Sequence, residues 1–433
     1  MRIQTILRVA TAALLLTLVL VACSQNPVGI FASVERERQI LDDERGLDND
    51  LNVAAMTEAG GKYFIAAGTL YSRDVNDPDY EDGDLAQWTA VDPPDTNYTT
   101  NSVVTANLGS EELVYAVFTS LDGNDAGVYE IDPGASDPQP SRILGTGDPP
   151  TVGAGEDTVA SVIDLFVVSD AADVWLVVSV QASSQANDYT LYVTSDGLNF
   201  TELTSSKPAE PFPYAPWTDA ASDGTNTAFM SSSRVLVDTD GNLGNDNLVV
   251  KSAPAASGDQ LTGMAYDAST DGSGLLWLAD DAGHIYTSPL DAVEDWQKSA
   301  SHEVSSSNDT PLPFTDFALV PVDGTRTNLV VGTRGYGYRV LGDTTTITYE
   351  SAPQSPDLVV DGSNYQGSEL AGAVVQTFYV DATPQSDYPV PTADGTPYEY
   401  FDGYLFFAGT TNQGLWRALS YPSDQGAVQW VRE

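Results

Sequence analysis

The chain has 433 residues and an extreme charge balance, with 62 acidic against 17 basic side chains and a formal net charge of −45. A surface this negative repels nucleic acid and anionic headgroups and attracts cations. Such charge usually accompanies disorder, but 42% hydrophobic residues, with 7 Trp, 21 Tyr and 13 Phe, supply a packed core.

The first segment stands apart from any fold. Met1–Ala22 carries Arg2 and Arg8, continues as the apolar run ALLLTLVLVA and ends before Cys23. Its length and position fit a secretory signal better than a spanning helix. Leu20-Val21-Ala22-Cys23 resembles the lipobox of bacterial lipoproteins. That resemblance implies cleavage before Cys23, diacylglycerol on its sulfur and an acylated amino group. The membrane is then one partner, through Cys23, and the location is extracytoplasmic, at the outer membrane or cell surface of a bacterial envelope. Cys23 is the only cysteine, so there is no disulfide framework and its sulfur is free for lipid. More than one acyl chain holds a soluble domain at a membrane stably. Residues 23–50 read as a lipidated tether and a charged arm. In the arm, Gly29-Ile30-Phe31-Ala32-Ser33 looks like the later strand Gly-Leu-Trp-Arg-Ala, which leaves both a short helix and an outer strand open.

From residue 51 to 433, glycine, proline and Asx turns punctuate short apolar runs, and no long 3.6-residue period occurs. The pattern is all-β. Seven runs align as second strands: KYFIAAG at Lys62, ELVYAVF at Glu112, DVWLVVSV at Asp173, NTAFMSS at Asn226, GLLWLAD at Gly274, NLVVGTR at Asn328 and YLFFAGT at Tyr404. Each follows a first-strand candidate (LNVAAM, SVVTAN, VIDLFVV, PWTDAAS, LTGMAYD, FTDFALV, AVVQTFYV). Most precede a third strand such as TLYVT or GLWRA, and a fourth often carries an aromatic: Trp88, Phe200, Trp296, Tyr349 or Trp430. Seven such units predict a β-propeller of four-stranded antiparallel blades, a ring that buries both faces of every blade.

The turn between third and fourth strands holds an acid in every unit: Asp74, Asp132, Asp196, Asp240, Asp291, Asp343 and Asp424. Its best copy, Thr194-Ser195-Asp196-Gly197-Leu198-Asn199-Phe200, resembles the shortened Asp-box of the sialidase-type propellers. The resemblance implies that the Asp binds amides of its own turn and that the aromatic tucks between strands. Sialidase chemistry itself would need three convergent arginines and a Tyr/Glu pair, and the Phe/Tyr-Arg-Ile-Pro motif is absent. Arg73, Arg339 and Arg417 recur with the repeat and read as structural, which leaves Arg234, Arg326 and Arg334 without a joining motif.

Other sites are weaker in the sequence. DTDGNLGND places Asp238, Asp240, Asn242 and Asp246 at positions 1, 3, 5 and 9 of an EF-type calcium loop, with Leu243 where glycine belongs and no glutamate at position 12. The same residues fit an ordinary Asp turn, and no other cofactor is implied. His284 and His302 have no second histidine at metal-ligand spacing and read as structural or solvated. Long segments rich in proline and aromatics, Ser205–Trp217, Ser299–Phe314, Ser351–Leu370 and Asp381–Tyr400, read as connections between blades. There Tyr214, Trp217, Tyr336 and Tyr388, with Arg334, are candidates to contact a sugar or peptide. The expected function is a binding module for a protein or glycan. The alternative is a carbohydrate-active hydrolase using two carboxylates in the propeller funnel.

Overall fold

The computed structural model describes Leu47 and residues 50–76, 87–109, 111–148, 158–182, 189–203, 215–238, 240–245, 248–255, 258–267, 274–290, 296–305, 308–323, 326–344, 348–350, 357–359, 370, 372–391, 398–420 and 430–433. The signal, Cys23 and the Gly29–Ser33 run lie outside the described residues.

Among the described residues seven blade sheets and one small two-stranded sheet follow one another along the chain, paired antiparallel except where noted below. Blade 1 holds β1 (Ala55–Ala59), β2 (Lys62–Ala67), β3 (Thr69–Asp74) and β4 (Thr89–Ala90). Blade 2 holds β5 (Tyr98–Asn107), β6 (Glu112–Ser120), β7 (Ala126–Ile131) and β8 (Ser141–Gly145). Blade 3 holds β9 (Val159–Ser169), β10 (Val174–Ala182), β11 (Tyr189–Thr194) and β12 (Thr201–Glu202). Blade 4 holds β13 (Trp217–Ser222), β14 (Thr227–Ser231), β15 (Arg234–Asp238) and β16 (Leu248–Ser252). Blade 5 holds β17 (Leu261–Asp267), β18 (Leu275–Asp280), β19 (Ile285–Pro289) and β20 (Gln297–Ser299), and is followed by the small hairpin β21 (Glu303–Ser305) and β22 (Asn308–Pro311). Blade 6 holds β23 (Phe314–Asp323), β24 (Arg326–Thr333) and β25 (Tyr338–Asp343). The strands β26 (Thr348–Glu350) and β27 (Asp357–Val359) come next, and blade 7 closes with β28 (Val375–Pro391), β29 (Tyr398–Thr410), β30 (Leu415–Ser420) and β31 (Trp430–Arg432).

The chain is thus a seven-bladed β-propeller. All seven second-strand runs of the repeat fall on second strands, because an apolar run without alternation suits a strand covered on both faces. Tyr63, Phe64, Ile65 and Ala66 of β2, for example, are all buried. One apolar core lies between each pair of neighbouring blades, and the ring closes where Met56, Tyr63 and Ile65 of blade 1 meet Leu405, Phe407 and Leu415 of blade 7. Polar bonds reinforce that seam. The Tyr63 hydroxyl donates to Asp381 at 2.6 Å, and buried Arg73 and Arg417 both pair with Glu433, at 2.9 and 3.3 Å. Arg73 also lies over the rings of Tyr63 and Trp88, and Arg417 over Tyr388. Arg339 is buried too, and donates to the carbonyls of Tyr336 and Tyr338.

Two expectations are corrected. Tyr349 does not build a fourth strand on blade 6: β26 and β27 extend blade 5, where β27 runs parallel to β20. Among the described residues blade 6 therefore has three strands. The segment Asp381–Tyr400 is no connection between blades, but the far half of the β28–β29 hairpin. Prolines 384, 389 and 391 hid this strand. Pro384 borders a register shift in the ladder, whereas Pro389 and Pro391 lie two residues apart in a regular run near the hairpin's end, paired with Tyr400 and Tyr398.

Candidate functional site

In a four-stranded meander, the second-to-third turns and the blade connections share one rim, and the first-to-second and third-to-fourth turns share the other. The innermost strands β1, β5, β9, β13, β17, β23 and β28 stand side by side around the axis. Six of them are bulged, and the residue after the bulge is Ser102, Asp164, Asp219, Gly263, Asp316 or Thr377. Three acids therefore occupy one repeated position on the inner wall.

These acids are tied to backbone. Asp219 accepts from Ala220 N–H at 2.8 Å and from Met264 N–H of the next blade at 2.7 Å. Asp316 accepts from Phe378 N–H of the next blade at 2.8 Å. In blade 2 the hydroxyl of Ser102 fills the same role, accepting from Leu165 N–H at 3.3 Å and donating to Asp164 at 2.6 Å. Each is a staple across a blade junction. Gly263 leaves the position empty because a Cβ there would lie 2.9 Å from the Phe317 Cβ. Burial dominates the ionisation of all three acids, pushing Asp164 up to about 6 and Asp316 up to about 7. Asp219 is raised well above the usual range by burial and then by the charges of Asp316 and Asp164.

A second acidic group lies at the blade 1–blade 7 seam. Glu58, half-buried, is raised first by burial and then by the charges of Asp381 and Glu112, while the Tyr379 hydroxyl bonds to it. Asp381 is only 1% exposed and is held by Tyr63 and by the Thr383 amide. Two carboxylates are close here, but one is sealed and the aromatic faces of Tyr63, Tyr379 and Phe407 pack on one another. This is not a pair that flanks an open cleft.

The rim of second-to-third turns is built differently. The last residue of the second strand caps the turn with its side chain: Ser120 in blade 2, Asp280 in blade 5, Thr333 in blade 6 and Thr410 in blade 7. In blade 6 this cap presents Arg334-Gly335-Tyr336. Arg334 and Tyr336 are both exposed, Tyr336 at 37%, and the Arg334 amide donates to Pro313 O on the connection from blade 5. Leu121, 70% exposed, lies on the corresponding turn of blade 2.

In blade 5 the cap is an acid. Asp280, fully buried, accepts from the amides of Ala282 and His284 at 3.0 and 2.8 Å, from the Tyr286 hydroxyl at 2.7 Å, and contacts His284 Nδ1 at 3.0 Å. Burial alone would raise its carboxyl, but the bonds from His284 and Tyr286 outweigh it and hold the group below the usual range. Asp259, on the connection from blade 4, completes a trio with Asp280 and His284 whose donor atoms all lie within 4.8 Å of one another. His302 adjoins them: its amide donates to Gly283 O at 2.8 Å, and burial followed by the charge of His284 lowers its imidazole to about 4. Sequence spacing missed this corner because its members come from two blade connections and one turn.

The remaining sequence candidates are scattered. The Asp238 loop is a chain of Asx turns, in which Asp238, Asp240 and Asn242 accept from the amides of Asp240, Asn242 and Gly244 at 3.1, 3.2 and 3.1 Å. Leu243 is buried between blades 3 and 4 and donates its amide to Asp170. Asp246 lies outside the described residues, as does Tyr214. Trp217 is only 3% exposed and belongs to the core between blades 3 and 4, so its ring offers no face to a ligand. Tyr388 packs at the blade 1–blade 7 seam against Arg417, on the opposite side from Arg334 and Tyr336. Only Arg334 and Tyr336 are brought together. The Asp196 turn has Oδ1 accepting from Leu198 and Asn199 amides at 2.8 and 2.7 Å, with Phe200 buried. Although burial opposes it, this bonding holds the Asp196 carboxyl down at about 2. Also on that opposite rim, a groove of about 410 Å³ runs between blades 1 and 2, lined by Lys62, Asp74, Asp92 and Asp137.

No family model matches the chain, and no curated protein matches it. Among solved structures it is similar to an α-L-arabinanase of Penicillium chrysogenum in complex with arabinobiose, at 12% identity and a TM-score of 0.42, over 72% of this chain and 95% of that one. It is also similar to the Fusarium graminearum α-L-arabinofuranosidase Arb93A, at 11% identity and a TM-score of 0.44, over 66% of this chain and 88% of that one. A third is the computationally designed protein Ika8, at 11% identity and a TM-score of 0.44, over 86% and 98% of the two chains.

Proposed function

We propose that this chain is a lipid-anchored, extracytoplasmic propeller that binds a protein or glycan partner through the rim of second-to-third turns. What supports a binding role over hydrolysis is the use made of the inner-wall carboxylates. Asp164, Asp219 and Asp316 are committed to backbone amides and a serine hydroxyl, and Asp381 is sealed behind Tyr63. Acids engaged this way serve the fold, whereas two-carboxylate glycoside chemistry needs a pair free to act on a bond held between them. The exposed Arg334–Tyr336 turn offers a cation and an aromatic face in a chain poor in exposed cations, a combination suited to an acidic or sugar-bearing partner. Anchoring at Cys23 through its lipobox would hold that rim at the envelope surface.

The test uses the soluble chain from Ser24 onward on a glycan and polysaccharide array, with a pulldown from envelope extracts in parallel. Specific capture that Tyr336→Ala and Arg334→Ala each weaken at least tenfold is expected. Capture unaffected by both substitutions would remove the rim from the reading. Hydrolysis of an array hit that is lost in Glu58→Gln would favour the hydrolase instead.

A further inference from the structure

We propose that the groove between blades 1 and 2, on the rim opposite Arg334 and Tyr336, is a second binding site and that it takes a neutral saccharide. Its volume of about 410 Å³ falls in the range of small-molecule sites. The register of blade 1 builds one wall. Lys62 stands directly across from Asp74, Phe64 from Ser72, and Ser72 in turn from Thr89. Residues paired in this way project from the same face of a sheet. Phe64 belongs to the core between blades 1 and 2, so Lys62, Ser72, Asp74 and Thr89 all face blade 2. Phe64 and Val91 are buried behind them, whereas Asp74 and Thr89 are exposed.

Blade 2 supplies the opposite wall, and its position is fixed. Asp132, in the turn after β7, accepts from the Gly134 amide at 2.8 Å, and the same turn carries Ser136 and Asp137 to the groove. Gly60 of blade 1 lets this turn come close, since a Cβ there would lie 3.1 Å from the Pro133 side chain. The Gly60 amide also donates to Glu112 of blade 2 at 2.8 Å. Gln139 donates to Oδ1 of Asp137 at 3.1 Å and so orients that carboxylate. Strands and an anchored turn thus hold the two walls at a set separation, the preorganisation that a binding site needs.

Lys62 is the residue that points to a ligand. In a chain with four lysines and 62 acids, it lies half-buried in the groove with Asp74, Asp92 and Asp137. Among the described residues it nevertheless makes no ion pair, and its ammonium keeps its donors for something else. Three carboxylates around one ammonium disfavour a phosphate or a uronate, and the ammonium in the wall disfavours a metal ion or an amine. A neutral ligand remains. The lining offers donors from Lys62 and Gln87, acceptors from the aspartates, and hydroxyls that do both at Ser72, Thr89 and Ser136. Neighbouring sugar hydroxyls, each of which donates and accepts at once, match that mixture, while an apolar ligand would leave these groups without partners. No aromatic ring lines the groove among the described residues, so binding rests on hydrogen bonds and is expected to be weak, with a dissociation constant on the order of 1 mM.

The test is an NMR titration of the soluble chain from Ser24 onward with maltotriose, cellotriose, xylotriose and galactotriose, and with trigalacturonate as the anionic control. Saturable binding of at least one neutral trisaccharide is expected, with none of trigalacturonate. Lys62→Met and Gln87→Ala should each weaken binding several-fold. Ser136→Trp, at an exposed position, should fill the groove and abolish binding with the melting temperature unchanged, and Tyr336→Ala should have no effect. The proposal is overturned if no neutral trisaccharide binds, if trigalacturonate binds more tightly than the neutral sugars, or if Ser136→Trp binds as the wild type does. Binding lost with Tyr336→Ala and kept with Ser136→Trp would overturn it too, and would assign the sugar to the opposite rim.

Discussion

Replacing Asp316 by asparagine isolates the energetic cost of the inner-wall staples. In the native ring this carboxyl is raised to about 7 by burial, against an ordinary 3.8. The sign follows directly. A raised carboxylate contributes its full stabilisation below the unfolded value, and that contribution is lost as pH rises through the folded value. Between pH 5 and pH 8 the linkage amounts to at most about 3 kcal/mol for this one group. Water reaching a half-buried side chain reduces it, so a range of roughly 1–2 kcal/mol is reasonable. Asparagine cannot ionise and carries no such dependence. It keeps one carbonyl oxygen for the Phe378 amide but leaves the Phe317 amide facing an NH₂, a loss of roughly 1–3 kcal/mol at every pH.

The absolute stability of Asp316→Asn is therefore uninformative, whereas its pH slope is decisive. Urea unfolding of both chains at pH 5, 6, 7 and 8 should show the variant gaining on the wild type by roughly 1–2 kcal/mol across the series. The gain should be concentrated between pH 5 and 7. A constant offset at all four values would mean that Asp316 is solvated and ionised like a surface acid, and the staple argument would fail with it.

Other outcomes follow from single sites. Glu433→Gln removes the shared partner of two buried arginines, Arg73 and Arg417. It should cost about 3–5 kcal/mol in urea unfolding, since two buried guanidinium groups lose one shared buried counter-charge. Gly337→Ala places a Cβ 2.4 Å from Leu370 O at φ +71°, so the melting temperature should drop by several degrees, while Gly335→Ala in the same turn, with nothing within 4 Å, should cost only the left-handed backbone strain of about 1 kcal/mol. Cys23→Ala should abolish incorporation of labelled fatty acid in a bacterial host and release the chain from membranes; retained label would dismiss the lipobox reading.

The fold was legible because burial on both faces leaves a strong trace. Phe64, Val117, Val177, Phe229, Leu278, Val330 and Phe406 sit in second strands whose apolar runs have no alternation to mislead. The failures have physical causes. Tyr349 carries the right local signal for a fourth strand, but two or three residues of strand cannot specify which blade edge they join. Prolines 384, 389 and 391 are turn formers in isolation but lie on a long hairpin strand in context. The inner-wall staples were also within reach: VIDLFVV, PWTDAAS and FTDFALV each interrupt an apolar run with an aspartate, and LTGMAYD puts glycine in the same place. An acid repeated inside a buried strand is a signal in its own right. The blade 5 corner was not within reach, because 21 residues separate Asp259 from Asp280, and the folding of blade 5 onto its own entry connection brings them together.

With 62 acids, composition cannot say what any one of them does; position within the blade can. Where an aspartate follows a third strand, as at Asp196, it meets the amides of its own turn and ionises at about 2. Asp170 and Asp280 are likewise held below the usual range, because hydrogen bonds outweigh their burial. These acids stabilise the ring above the ordinary carboxylate range and lose their contribution as pH falls through their folded values. Where an aspartate follows an inner-strand bulge, as at Asp164 and Asp316, it meets burial first, and its contribution is lost as pH rises through about 6 to 7. The two sets oppose each other. Their joint contribution is therefore largest near pH 4, around the ordinary carboxylate value, where the turn acids are ionised and the staples are protonated. Mutual repulsion among surface carboxylates shifts the balance in the same direction, since it weakens as they protonate and as salt screens them. The acidity of this chain is thus a cost at neutral pH that added salt should partly relieve at the surface, while the buried inner-wall staples add a cost that salt does not reach.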